Sequence, residues 1–163
     1  MQIRQMQIAN DSVQDRLVLR VSTQADEEYR VWLTRRFLRE MWPHLASLIG
    51  SQPAPVAGTT PPAAPPNFEQ PFAEANATYP LGSTPLLTSE VKCDTLSDGT
   101  FSLTFREGRE RSFQLGLNAD LLQALCAMLR AGAENAQWNL ALDYAPAAVP
   151  TPAAGSGPHS RLH

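Results

Sequence analysis

Residues 17–45, LVLRVSTQADEEYRVWLTRRFLREMWPHL, and residues 101–129, FSLTFREGRERSFQLGLNADLLQALCAML, decide the fold when they are laid over one another without a gap, 84 positions apart. Leu17, Leu19 and Val21 fall on Phe101, Leu103 and Phe105, and Tyr29, Val31 and Leu33 fall on Phe113, Leu115 and Leu117. Each triplet has the two-residue period of a strand with one apolar face. Thr34 then meets Asn118, two residue types that cap helix N-termini. Beyond them Phe37, Leu38, Met41, Trp42 and Leu45 meet Leu121, Leu122, Leu125, Cys126 and Leu129, an apolar stripe at helical spacing in both copies. Four of the 29 aligned pairs are identical, so the likeness lies in pattern more than in letters.

Working outward, each copy gains a strand in front, Gln2 to Ala9 in the first and Thr88 to Leu96 in the second, although the upstream registers align less cleanly. Asp98-Gly99 predicts a type I′ hairpin turn and Glu107-Gly108 the next one; residues 10–15 and 23–28 are their looser counterparts. The helices are expected over residues 35–49, with Pro43 inside, and over residues 119–131, with Asp120 and Arg130 complementing the dipole and Gly132 as the stop. A final strand is expected over Gln137 to Leu142. The reading is therefore an α+β fold of two tandem β-β-β-α units plus a C-terminal strand, each helix covering its own meander and both units sharing one core. Duplication of an ancestral unit accounts for the offset better than coincidence does.

Composition sets the boundaries. Residues 51–86 hold nine of the 14 prolines, and residues 145–163 repeat the bias, so the units are 1–50 and 87–144, joined by a Pro/Ala-rich linker and followed by a disordered tail. Pro spacing confines residues 79–87, expected to rest on the domain, to a sheet edge. A net charge of −3 gives no overall field pointing to nucleic acid or an acidic membrane. No stretch approaches the roughly 18 apolar residues of a membrane span, and a cytoplasmic location is expected. Cys93 and Cys126, without a CxxC pairing or accompanying ligands, read as reduced, small apolar residues.

Chemistry is sparse. His44 is the single histidine within the two units and sits at the edge of a helical apolar stripe. His159 and His163 have helical ligand spacing but lie in the tail with no third ligand, so no metal site and no cofactor is expected. No phosphate loop, dinucleotide fingerprint or nucleophile elbow occurs, which makes an enzyme the third-ranked reading.

The two copies differ on the strand faces turned away from the core. Arg16, Val18, Arg20, Arg30 and Trp32 in the first stand where the second has Thr100, Ser102, Thr104, Gln114 and Gly116. Arginine alternating with tryptophan suits a protein-binding hot spot, or phosphate pairing with base stacking. Arg35 and Arg36 open the first helix, at the dipole end that disfavours cations. In the linker, Phe68, Phe72 and Tyr79 are aromatic anchors among prolines. The topology is similar to that of single-stranded nucleic-acid binders built from paired sheet-helix repeats, with no sequence motif behind the likeness. First in rank stands a non-catalytic accessory or adaptor protein binding another protein through Arg16, Arg20, Arg30, Trp32, Arg35 and Arg36, with Phe68, Phe72 and Tyr79 as linker contacts. Single-stranded nucleic-acid binding by the same face comes second.

Overall fold

The computed structural model describes residues 2–51 and 77–143. Strands β1 (Ile3–Asp11), β2 (Arg16–Thr23) and β3 (Glu28–Thr34) lead into helix α1 (Arg35–Gly50); then come β4 (Leu86–Leu87), β5 (Glu90–Thr95), β6 (Phe101–Glu107), β7 (Arg111–Leu117) and helix α2 (Ala119–Asn135). They form a mixed α+β structure with two sheets, ordered β1-β2-β3-β4 and β5-β6-β7.

Alternation sets the strand faces. Leu17, Leu19 and Val21 are fully buried, whereas Arg16, Val18 and Arg20 between them are half-buried. The β2–β3 and β6–β7 hairpins pair in the same register: Leu17 opposes Leu33 as Phe101 opposes Leu117, and Leu19 opposes Val31 as Leu103 opposes Leu115. The first strands differ by one position, since Met6 pairs with Val21 but Val91 with Phe105. The cause is the loop: residues 12–15 separate β1 from β2, and residues 96–100, one more, separate β5 from β6. In the longer loop the Gly99 N–H donates to Leu96 O at 3.0 Å, and Gly99 alone has positive φ, +82°. That is a turn closed by a left-handed glycine; the expected type I′ turn would need positive φ at Asp98 as well.

Both helices start where their caps place them. Thr34 Oγ1 accepts the Phe37 N–H at 3.2 Å, and Asn118 Oδ1 accepts that of Leu121 at 2.8 Å, each bond contributing about 1 kcal/mol. The helices do not confine themselves to their own strands. Helix α1 packs on β3 and on β5, α2 packs on β7 and on β1, and the helices touch each other. One hydrophobic cluster therefore spans both sheets. Between the two sheets the half-buried Tyr29 stacks on Phe113 with ring centroids 4.5 Å apart and planes 17° from parallel.

Two further expectations are corrected. No strand forms over residues 137–142. Trp138, Leu140 and Leu142 have a strand's spacing, but Gln137 and Asn139 take left-handed φ of 56° and 54° and turn the chain at each step. The segment instead docks as irregular chain, with Trp138 buried and its indole N–H donating to Asp15 Oδ1 at 2.6 Å. Helix α2 runs on to Asn135, so Gly132 does not stop it and Arg130 is not in its last turn. A Cβ on Gly132 would lie 2.8 Å from Ile8 Cγ2, so the glycine is there to let α2 approach β1. Residues 79–87 do rest on a sheet edge, as their proline spacing led us to expect: Leu86 and Leu87 pair in parallel with Val31 and Trp32, and Thr78 bridges Glu27. Pro85 precedes this edge strand, where a missing N–H is tolerated.

Candidate partner-binding surface

Strand pairing sets the outer face of the first sheet in rows. Ala9, Val18, Trp32 and Leu87 lie side by side across all four strands, all half-buried. On one side runs the row Asp11, Arg16 and Thr34; on the other run Gln7, Arg20 and Arg30, then Gln5, Ser22 and Glu28. An apolar strip is thus bordered by arginines on both flanks.

These arginines are already engaged. The Arg16 guanidinium lies 4.9 Å over the Trp32 ring, a cation–π contact. Arg20 Nε is 2.8 Å and Arg30 Nε 4.0 Å from the same carboxylate oxygen of Glu28, whose side chain is 0% exposed. Removing one partner of such a buried group leaves an uncompensated charge, at about 3–5 kcal/mol. Residues 23–28 read as a turn in the sequence, so Glu28, which opens β3 and organises this face, was missed there. Its signal was available: an acid two positions before Arg30 lies on the same face of a strand.

Residues 78–87 form a strap along β3. Arg30 stacks 4.6 Å over the Tyr79 ring and also donates to Ser83 O. From the second sheet, Arg111 donates to the carbonyls of Leu81 at 2.9 Å, Thr84 at 2.7 Å and Pro85 at 3.3 Å, and pairs with Glu107. Glu107 Oε2 in turn accepts the Leu87 N–H at 2.8 Å. Of the expected linker contacts, Tyr79 is thus placed against Arg30, while Phe68 and Phe72 lie outside the described residues.

Arg35 and Arg36 are both exposed at the start of α1, directly after Thr34 of β3. Arg36 pairs with Glu40 one turn on, at 3.0 Å. The matching face of the second sheet is uncharged at Thr100, Ser102, Thr104, Gln114 and Gly116, with Gln114 Nε2 donating to Ser102 Oγ at 2.8 Å.

Among the described residues no group of three or more His, Cys, Asp or Glu side chains gathers as metal ligands would. Burial pushes the Cys126 thiol up to about 12 and raises that of Cys93, the latter with help from neighbouring Asp94, so neither is activated as a nucleophile. His44 is exposed on α1. No described helix is long and apolar enough to cross a membrane. No protein family, curated protein or solved structure matches the chain.

Proposed function

We propose that the chain is a non-catalytic cytoplasmic adaptor, built by duplication of a β-β-β-α unit, that binds another protein across the outer face of the first sheet. The observation that carries this reading is the Ala9-Val18-Trp32-Leu87 row flanked by Arg16, Arg20 and Arg30. An apolar centre with tryptophan and arginine at its margin is the composition of a protein-binding hot spot. Pairing of Arg20 and Arg30 with Glu28 favours a protein partner over single-stranded nucleic acid, because phosphates would have to displace that carboxylate. Arg16 over Trp32 likewise occupies a ring face that a base would need.

Duplication is supported by contacts that persist when the units are exchanged. Helix α1 on β5 has its counterpart in α2 on β1, and Tyr29 stacks on Phe113, its own equivalent 84 residues on. Such reciprocity is how two copies meet about a two-fold axis.

The test is affinity capture with the full chain, the captured proteins being identified by mass spectrometry. Arg16→Glu with Trp32→Ala leaves Glu28 and its partners in place, and it is expected to abolish recovery of the specific partner. Unchanged recovery refutes this surface. Salt-sensitive binding of a labelled single-stranded oligonucleotide, lost on Trp32→Ala, would instead establish the nucleic-acid reading.

A further inference from the structure

Helix α1 carries charge in an arrangement its own stability does not explain. Arg35 and Arg39 are exposed and lie one turn apart on one side of the helix. The positive end of the dipole disfavours Arg35, and its like charge repels that of Arg39 four residues on. The first turn holds no acidic residue, and Arg36 already draws on Glu40. Neither Arg35 nor Arg39 has an ion pair, hydrogen bond or ring contact among the described residues. In α2 the equivalent positions are Ala119 and Gln123, with Asp120 in the first turn.

Both guanidiniums line a groove of about 340 Å³ whose other walls include Trp42, Pro43, Leu140 and Leu142. The groove is built rather than accidental in outline. The Trp42 indole N–H donates to Asp143 O at 2.8 Å, and this ties the irregular segment after α2 to the flank of α1. The left-handed turn at Asn139 carries that segment across as the opposite wall. Its lining has two cations, Asn139 and apolar carbon but no carboxylate side chain.

We propose that this groove binds an acidic, partly apolar segment of a partner protein, with Asp or Glu carboxylates meeting Arg35 and Arg39 and a neighbouring apolar side chain resting on Pro43 and Leu140. Planar guanidiniums match carboxylates in paired hydrogen bonds, and the apolar wall rewards a peptide over a bare anion. A nucleic acid is disfavoured because the cationic track stops here: Arg36 is paired with Glu40, and Arg20 and Arg30 with Glu28. The inference shares with the proposed function a protein as partner, but uses a separate surface.

Fluorescence anisotropy at 50 mM salt on the full chain tests it, with a labelled Glu/Leu decapeptide, its Lys/Leu counterpart and a thymidine 12-mer as probes. The Glu/Leu peptide is expected to bind saturably and to weaken with added salt. Arg35→Glu with Arg39→Glu should weaken it at least tenfold, and the Lys/Leu peptide should not bind. Arg35→Gln with Arg39→Gln gives a milder second pair should the reversal impair folding, with the same direction of effect expected. Trp32→Ala should leave peptide affinity unchanged. Absence of saturable binding, wild-type affinity in both arginine pairs, or tighter binding of the 12-mer overturns the proposal. Loss on Trp32→Ala alone overturns it while leaving the sheet-face reading standing.

Discussion

Alanine at Gly132 sets two effects of similar size against each other. Inside a helix the change should stabilise by about 0.8–1.0 kcal/mol through propensity alone. Against this, the new Cβ would stand 2.8 Å from Ile8 Cγ2 and 3.2 and 3.3 Å from the two Cδ atoms of Leu17. Carbon pairs prefer about 3.5–4.0 Å. Ile8 Cγ2 sits on a β-branched carbon with little rotamer freedom, and Leu17 is fully buried, so neither yields easily. Overpacking of this kind costs about 1–3 kcal/mol; taking roughly 2, Gly132→Ala should be net destabilising by about 1 kcal/mol. Urea unfolding followed by tryptophan fluorescence measures it, with exposed Ala131→Gly as the control for propensity in the same turn, expected to lose about 1 kcal/mol. Adding Ile8→Ala should make the double variant less unstable than the sum of the two singles. If Gly132→Ala equals or exceeds the wild type while Ala131→Gly loses stability, the close seating of α2 on β1 and β2 is wrong.

The Tyr29–Phe113 stack should show a coupling of about 0.5–1.5 kcal/mol in a double-mutant cycle with leucine at each position; zero coupling would mean the two units do not meet there. Arg111→Met removes the donor to three strap carbonyls, so hydrogen exchange in residues 78–87 should speed by at least tenfold while β6 and β7 stay protected; an unchanged strap refutes the clamp. With the Cys126 thiol raised to about 12 by burial, an aromatic disulfide reagent at pH 8 should reach that thiol only after unfolding. Because the folded value lies above the unfolded one, the stabilisation is complete below about pH 9 and is lost as pH rises through the folded value. Rapid modification of both native thiols at pH 8 would contradict its burial.

Both hairpins and both helix starts were legible because alternation, capping residues and helical spacing are local. Thr34 and Asn118 announce their helices whatever surrounds them. What the sequence concealed depends on pieces meeting at a distance. Trp138, Leu140 and Leu142 share a strand's period, yet nothing local forces Gln137 and Asn139 into left-handed φ; docking against Asp15 and α1 does. Gly132 resembles a helix stop until β1 is known to lie against it. The arginines of the first sheet read as a cationic face because their acid, Glu28, sat in a presumed turn. Arg39 carries no signal in the sequence, because only the first two positions of α1 oppose the dipole there; it lines a groove only because the segment after α2 passes beside α1.

The crossing of helices between sheets bears on how this chain holds together if its backbone is cut. With α1 resting on β5 and α2 on β1, each half lends a helix to the other's sheet. Cleavage between residues 52 and 76 should leave two polypeptides, each lacking one of the helices packed on its sheet, that complement each other as a heterodimer. In the uncut chain, covalent connection makes that association intramolecular and so raises the effective concentration of each half for the other. Two separately expressed halves of this chain would make a split pair whose assembly reports directly on the strength of the core.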